Sequence, residues 1–133
     1  MVRSTVVRLR SWYGLGLMGY SVRMRLRNLK NNQVVCEDLK ICESFLDRFL
    51  GLINPRNPRN LMLKTRFGIH TFFLRDSIDV LILDEKNQVV KLRQRLLPNK
   101  LFFWNPKYIK VIELEAGSVL KYRIGMGDTL SIN

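Results

Sequence analysis

Within this chain of 133 residues, the side chains best suited to chemistry fall in one short block, His70, Arg75, Asp76 and Asp79. An imidazole, a guanidinium and two carboxylates at that spacing could bind an anion, relay a proton or hold a polar ligand. His70 is the single histidine of the chain. Its ordinary titration near neutrality makes it the natural acid–base group. One histidine is not a triad, however, and Ser77, Cys36 and Cys42 lie in no recognisable nucleophile motif. Asp79 opens the apolar run Ile78–Leu83 and shares a strand face with Leu81 and Leu83. A carboxylate there is costly to bury unless it is paired or hydrogen-bonded. It either contacts a ligand beside Arg75 and His70, or accepts backbone amides of a neighbouring turn or pairs with a basic residue. The second arrangement is preferred.

Cys36 and Cys42 are six positions apart, a spacing of neither a redox pair nor a zinc half-site. With one histidine beside them they make a poor ligand set, so no metal and no cofactor are expected. Buried thiols are the default, with a disulfide across a hairpin left open. Asn54–Arg75 carries Arg56, Arg59, Lys64, Arg66 and Arg75 and no acid, and Arg93, Arg95, Lys100 and Lys107 surround Phe102-Phe103-Trp104. Basic residues interleaved with aromatics suit single-stranded nucleic acid, with charges tracking phosphates and rings stacking on bases. Irregular spacing and the lack of an RNA-binding motif favour a solvated basic face with the rings turned inward. Gly125-Met126-Gly127-Asp128 lacks the strand–loop–helix setting of a phosphate loop and reads as a turn.

The elements that must position these residues are short and β-rich. Gln33–Cys36 and Leu39–Cys42 are expected as two strands around a turn at Glu37-Asp38. Ser44 caps an amphipathic helix over 44–53, and the prolines of 54–60 impose a loop. Further strands are expected at Leu61–Lys64, Thr71–Leu74, Ile78–Leu83, Gln88–Leu92, Tyr108–Leu114 and Thr129–Ile132. A hairpin turn falls at 84–87, a long connection at 93–106, and a short helix at Ser118–Ile124 with Gly125 as its terminal glycine. The fold class is mainly β: a compact sandwich or barrel of six to eight short strands with one or two short helices.

The formal net charge of +12 is unevenly placed. Seven basic residues precede the first acid, Glu37, and the remainder carries only +5. Residues 1–23 read as a basic extension outside a single domain of residues 24–133, and Met24 reads well as a chain start. The run Trp12–Tyr20 is short, glycine-containing and followed by Arg23, Arg25 and Arg27, which argues against a secretory signal. No apolar stretch reaches the roughly 18 residues of a membrane span, so a cytoplasmic setting is expected.

The motif order resembles the small prokaryotic family catalogued as domain of unknown function 192, over about residues 26–133. The resemblance rests on Gly51-Leu52, the block Thr65–Asp84, Val89-Val90, Pro98, Val111–Gly117 and Gly125–Asp128. The aromatic, basic and hydroxyl character of the family's central block survives in Phe72, Phe73, Arg75 and Ser77, and Asp79 aligns with its aspartate. The resemblance implies a β-sandwich-like fold and no established reaction. Taken together, the residues point to a non-catalytic module. It would bind a small or anionic ligand, or a protein partner, near His70, Arg75, Asp76 and Asp79. A nucleic-acid-binding β-barrel is the alternative, and a small hydrolase-like enzyme using His70 and Asp79 comes third.

Overall fold

A computed structural model describes residues 22–42, 60–66, 68–72 and 74–133. The chain order is β1 (Val22–Asn28), β2 (Gln33–Ile41), β3 (Leu61–Lys64), β4 (Ile69–His70) and β5 (Ile78–Leu83). It continues with β6 (Val89–Leu96), β7 (Leu101–Phe102), β8 (Lys110–Glu115), the single-turn helix α1 (Ser118–Lys121) and β9 (Leu130–Ile132). Seven strands form one sheet in the order β6-β5-β8-β3-β2-β1-β9, and β4 and β7 form a separate ribbon. The main sheet curls into a half-barrel, and a bridge between Gln88 and Thr129 brings its two outer strands together at one corner. Leu130 N–H donates to Asn87 O at 2.9 Å and Val89 N–H to Asp128 O at 2.8 Å beside that bridge. The expected mainly β architecture is the one observed.

The core follows from the two-residue period of a strand. Every residue of β5 is buried, as a continuous aliphatic run requires of a strand covered on both faces. Leu81 and Leu83 pack with Leu26, Leu39, Ile112, Leu114 and Leu130 on one side of the sheet. Ile78, Val80 and Ile82 pack with Leu61, Leu63, Leu96, Val111, Phe102 and Trp104 on the other. Each fully buried aliphatic side chain contributes about 1.5–3 kcal/mol, so this double-faced strand is the main source of cohesion. All neighbouring strands are antiparallel except β2 and β3, where Lys40 pairs with Leu61 and Ile41 with Met62 in parallel.

Several boundaries differ from those expected. Glu37-Asp38 is not a turn: β2 passes straight through it as one strand of nine residues. Met24 pairs with Leu39 and Leu26 with Cys36, so β2 has one extra residue there and the acids mark a β-bulge. Strand β1 starts at Val22, with Arg23 and Arg25 exposed and Leu26 buried. Strand β6 continues to Leu96, across another bulge where Ile78 pairs with Leu96 and Val80 with Arg93. Ribbon pairing occurs at Ile69–His70, and Thr71 already leaves the strand. Helix α1 stops at Lys121, because Arg123, at φ 51°, takes the left-handed position expected of Gly125. The expected helix over 44–53 and most of the following loop lie outside the described residues.

Neither cysteine is in a disulfide. Cys36 lies within β2 and Cys42 just beyond its end, so an extended strand holds them about 20 Å apart, far outside disulfide reach. Burial, reinforced by the charge of Asp38, pushes the Cys36 thiol up from 9.0 to about 11. The nucleophilic thiolate is therefore scarce at neutral pH. Alkylation of Cys36 in the native protein at pH 8 is expected to run about a hundredfold slower than in the urea-unfolded chain. Equal rates in the two states, measured by mass spectrometry, would contradict the shielding of this half-buried thiol.

Candidate functional site

Gly68 begins the site. Its φ is +150°, and a Cβ at that position would stand 2.7 Å from both the Phe102 carbonyl oxygen and the Phe103 ring. Glycine is what lets β4 lie against β7. The two-residue ribbon then sorts its side chains by strand alternation: Ile69 and its partner Phe102 are buried, whereas Leu101, opposite His70, is exposed. Thr71 follows, with no exposed surface. Its hydroxyl donates to Leu97 O at 2.7 Å and accepts from Lys100 N–H at 2.8 Å. Thr71 N–H donates to Lys100 O, and Asn99 N–H donates to Thr71 O. This one side chain and its backbone fix the segment 97–100. Sequence reasoning missed it, although a β-branched hydroxyl directly after the lone histidine was a visible signal.

His70 lies at the mouth of this arrangement, half-buried. Phe72 N–H donates to its Nδ1 at 3.3 Å, which calls for the tautomer protonated on Nε2. The imidazole stacks on the Phe72 ring with centroids 4.8 Å apart and planes 22° from parallel. Arg75 and Asp76 are exposed on the chain that leads from this stack into β5. On the ribbon and its connections Phe72, Leu97, Leu101 and Phe103 are all exposed, at 40–58%. Four large apolar side chains on one small ribbon and its connection make a patch of the kind that marks interaction surfaces. The aromatic triplet is thus split: Phe102 and Trp104 turn into the core and Phe103 turns out. Lys91 Nζ donates to Phe103 O at 3.1 Å and lies 5.1 Å from the Phe102 ring centre, adding positive charge at the edge. Lys100 is exposed on the same connection, whereas Arg56 and Arg59 lie outside the described residues.

Asp79 has a different environment from its three companions. It is fully buried, and its hydrogen bonds go to backbone amides. Oδ1 accepts from Arg95 N–H at 2.9 Å; Oδ2 accepts from Gly117 N–H at 3.1 Å and Val119 N–H at 2.8 Å. Three of about four lone-pair positions are thereby used. The carboxylate holds the β6 bulge and the start of α1, which is the preferred reading of its place in the sequence. A corresponding arrangement stands at the other end of the sheet, where buried Asp128 Oδ2 accepts from Gly125 N–H at 2.8 Å and Asn28 Nδ2 at 3.2 Å. Among the described residues no three His, Cys, Asp or Glu side chains gather as a metal set would.

Removing the Asp79 carboxylate leaves three inward-facing amides without an acceptor. Asp79→Ala is expected to cost about 3 kcal/mol or more in urea unfolding, since each orphaned buried donor costs about 1–3 kcal/mol. A loss below about 1 kcal/mol would show that water replaces the carboxylate and that Asp79 is no anchor.

No family model matches the chain. A UPF0127 protein of Pyrococcus furiosus is 27% identical over 113 residues, covering 80% of this chain and 96% of that one. Two solved structures share the fold. A protein of unknown function from Novosphingobium aromaticivorans superposes with a TM-score of 0.67 at 11% identity, with 84% of each chain covered. A Sinorhizobium meliloti protein provisionally assigned as a transcription regulator gives 0.61 at 17% identity, covering 83% of this chain and 92% of that one. Similarity at this level places the chain beside small β-rich proteins of uncharacterised function.

Proposed function

We propose that this chain is a non-catalytic binding module whose site is the outward face of residues 70–79 together with the ribbon. The collinear motifs quoted above, and the near-complete coverage of the UPF0127 relative, support membership of the family catalogued as domain of unknown function 192. The observation that carries the functional reading is the partly exposed His70–Phe72 stack, with Arg75 and Asp76 beside it, on a segment fixed by Thr71. Stacked rings supply contact area, and Arg75 supplies charge to a small anionic ligand or an acidic protein segment. Asp79 serves by positioning. Its commitment to three amides speaks against a His70–Asp79 acid–base pair, and so against the hydrolase-like reading. A reducing, cytoplasmic setting suits two thiols that form no disulfide.

One observation favours a second reading, single-stranded nucleic acid. Phe72 and Phe103 are exposed, with Arg66 and Lys100 exposed on the adjoining segments, which is the ring-and-charge pairing such binders use. The two readings separate in one experiment on the full chain and its Phe72→Ala and Arg75→Ala variants. Thermal-shift screening against small mono- and dicarboxylates and acidic peptides is run beside anisotropy with a labelled oligothymidylate at low salt. The module reading expects a carboxylate or acidic-peptide response that each variant weakens about tenfold while melting within a few degrees of the parent. Tight oligothymidylate binding that falls steeply with salt would transfer the site to nucleic acid. Variants that lose stability in proportion to binding would remove the site altogether.

A further inference from the structure

A recess lies at the far end of β5 from Asp79, where Leu83 meets the hairpin turn 84–88. It is a cleft of about 600 Å³ between that turn and the adjoining ends of β3 and β8. This is the size of a small-molecule site. Its lining is strongly cationic: Lys64, Arg66, Lys86, Lys107 and Lys110 against Asp84 and Glu85.

Hydrogen bonds sort these charges into framework and free groups. Lys110 Nζ is taken up by Asn87 Oδ1 at 2.7 Å and Glu85 O at 3.4 Å, which fastens the turn to β8. Asp84 Oδ1 accepts from Lys86 N–H and Gln88 N–H at 2.8 and 2.9 Å, which shapes the turn itself. Among the described residues the ion pairs are Arg25–Glu37 and Lys30–Asp128, and neither involves the cleft. Lys64, Arg66 and Lys107 are exposed and share the recess without a carboxylate partner. Lys107 Nζ lies 5.6 Å from the centre of the Tyr108 ring, which itself lines the cleft. Like charges held together around a concavity attract an anion, and the concavity concentrates the field.

The geometry points to a site for a small phosphorylated compound with a ring and free hydroxyl groups, separate from the face of residues 70–79. Lys64, Arg66 and Lys107 take the phosphate. Tyr108 offers surface to a ring, and Asp84 and Glu85 accept from hydroxyls. The two acids also argue for a small ligand over a polymer, because a polyanion running through the cleft would meet their charge. The inference does not depend on the binding reading of the ribbon.

The test is isothermal titration of the full chain at low salt with AMP, ribose 5-phosphate, adenosine and oligothymidylate. AMP and ribose 5-phosphate are expected to bind and adenosine is not. An Arg66→Ala/Lys107→Ala double variant is expected to weaken both by at least about tenfold, and Lys121→Ala, exposed at the end of α1, to leave them within about twofold. Protection of Lys64 and Lys107 from acetylation by AMP, in the unaltered protein, reads the same site without relying on a variant. Failure of every phosphorylated probe to bind, equal affinity for adenosine and AMP, undiminished binding in the double variant, or tighter binding of oligothymidylate than AMP each overturns the proposal.

Discussion

One carboxylate in a place where apolar side chains belong organises much of this protein. Asp79 shares the face of β5 that packs Leu81 and Leu83, and it is tolerated there because three amides converge on it. Those amides come from residues 16, 38 and 40 positions further along the chain. They belong to a bulged strand and to the N-cap and first turn of α1, places where no ladder or helix satisfies them. A neutral side chain of similar size could not accept all three, so the cost of burying the charge is offset by donors that the fold would otherwise leave orphaned. Asp128 solves the same problem for the turn 123–127 with the help of Asn28.

From Asp79 a continuous path leads to the proposed binding face. Holding Arg95 N–H fixes the bulge, and the bulge lets β6 reach Leu96 in register with Ile78. The next residue, Leu97, presents its carbonyl to the Thr71 hydroxyl. Thr71 in turn precedes the amide that Phe72 donates to His70. The stack is therefore set by a chain of mostly part-buried hydrogen bonds, and its partly exposed rings would meet a ligand in a largely preformed geometry. Preorganisation of this sort lowers the entropy lost on binding.

What could be read from the chain alone was whatever depends on local pattern. The unbroken aliphatic run of Ile78–Leu83 announced a strand buried on both faces, and the turn at 84–87 announced a hairpin. The acids Glu37-Asp38 misled, because a pair of polar residues inside a strand looks the same whether the backbone turns or merely bulges. Only the register of β1 decides between them, and register is a long-range property. Thr71 was passed over for the same reason: its partners lie 26 and 29 positions away. The basic residues Lys64, Arg66 and Lys107 were visible, but their meeting at one cleft depends on β3 pairing with β8, which no local motif encodes.

The bridge between Gln88 and Thr129 also bears on how the molecule breathes. A curled sheet fastened at its outer strands by one bridge and a few flanking amides has a seam, and the seam is far weaker than the ladders around β5. Local opening is cheapest where the fewest bonds must break. Parting there would free the 84–88 turn and loosen one edge of one apolar cluster, where Val89 and Leu130 pack, while the other cluster stays intact. That turn is one wall of the cationic cleft, so the fluctuation that unzips the sheet also widens the entrance, and an occupant that grips the wall would zip it shut.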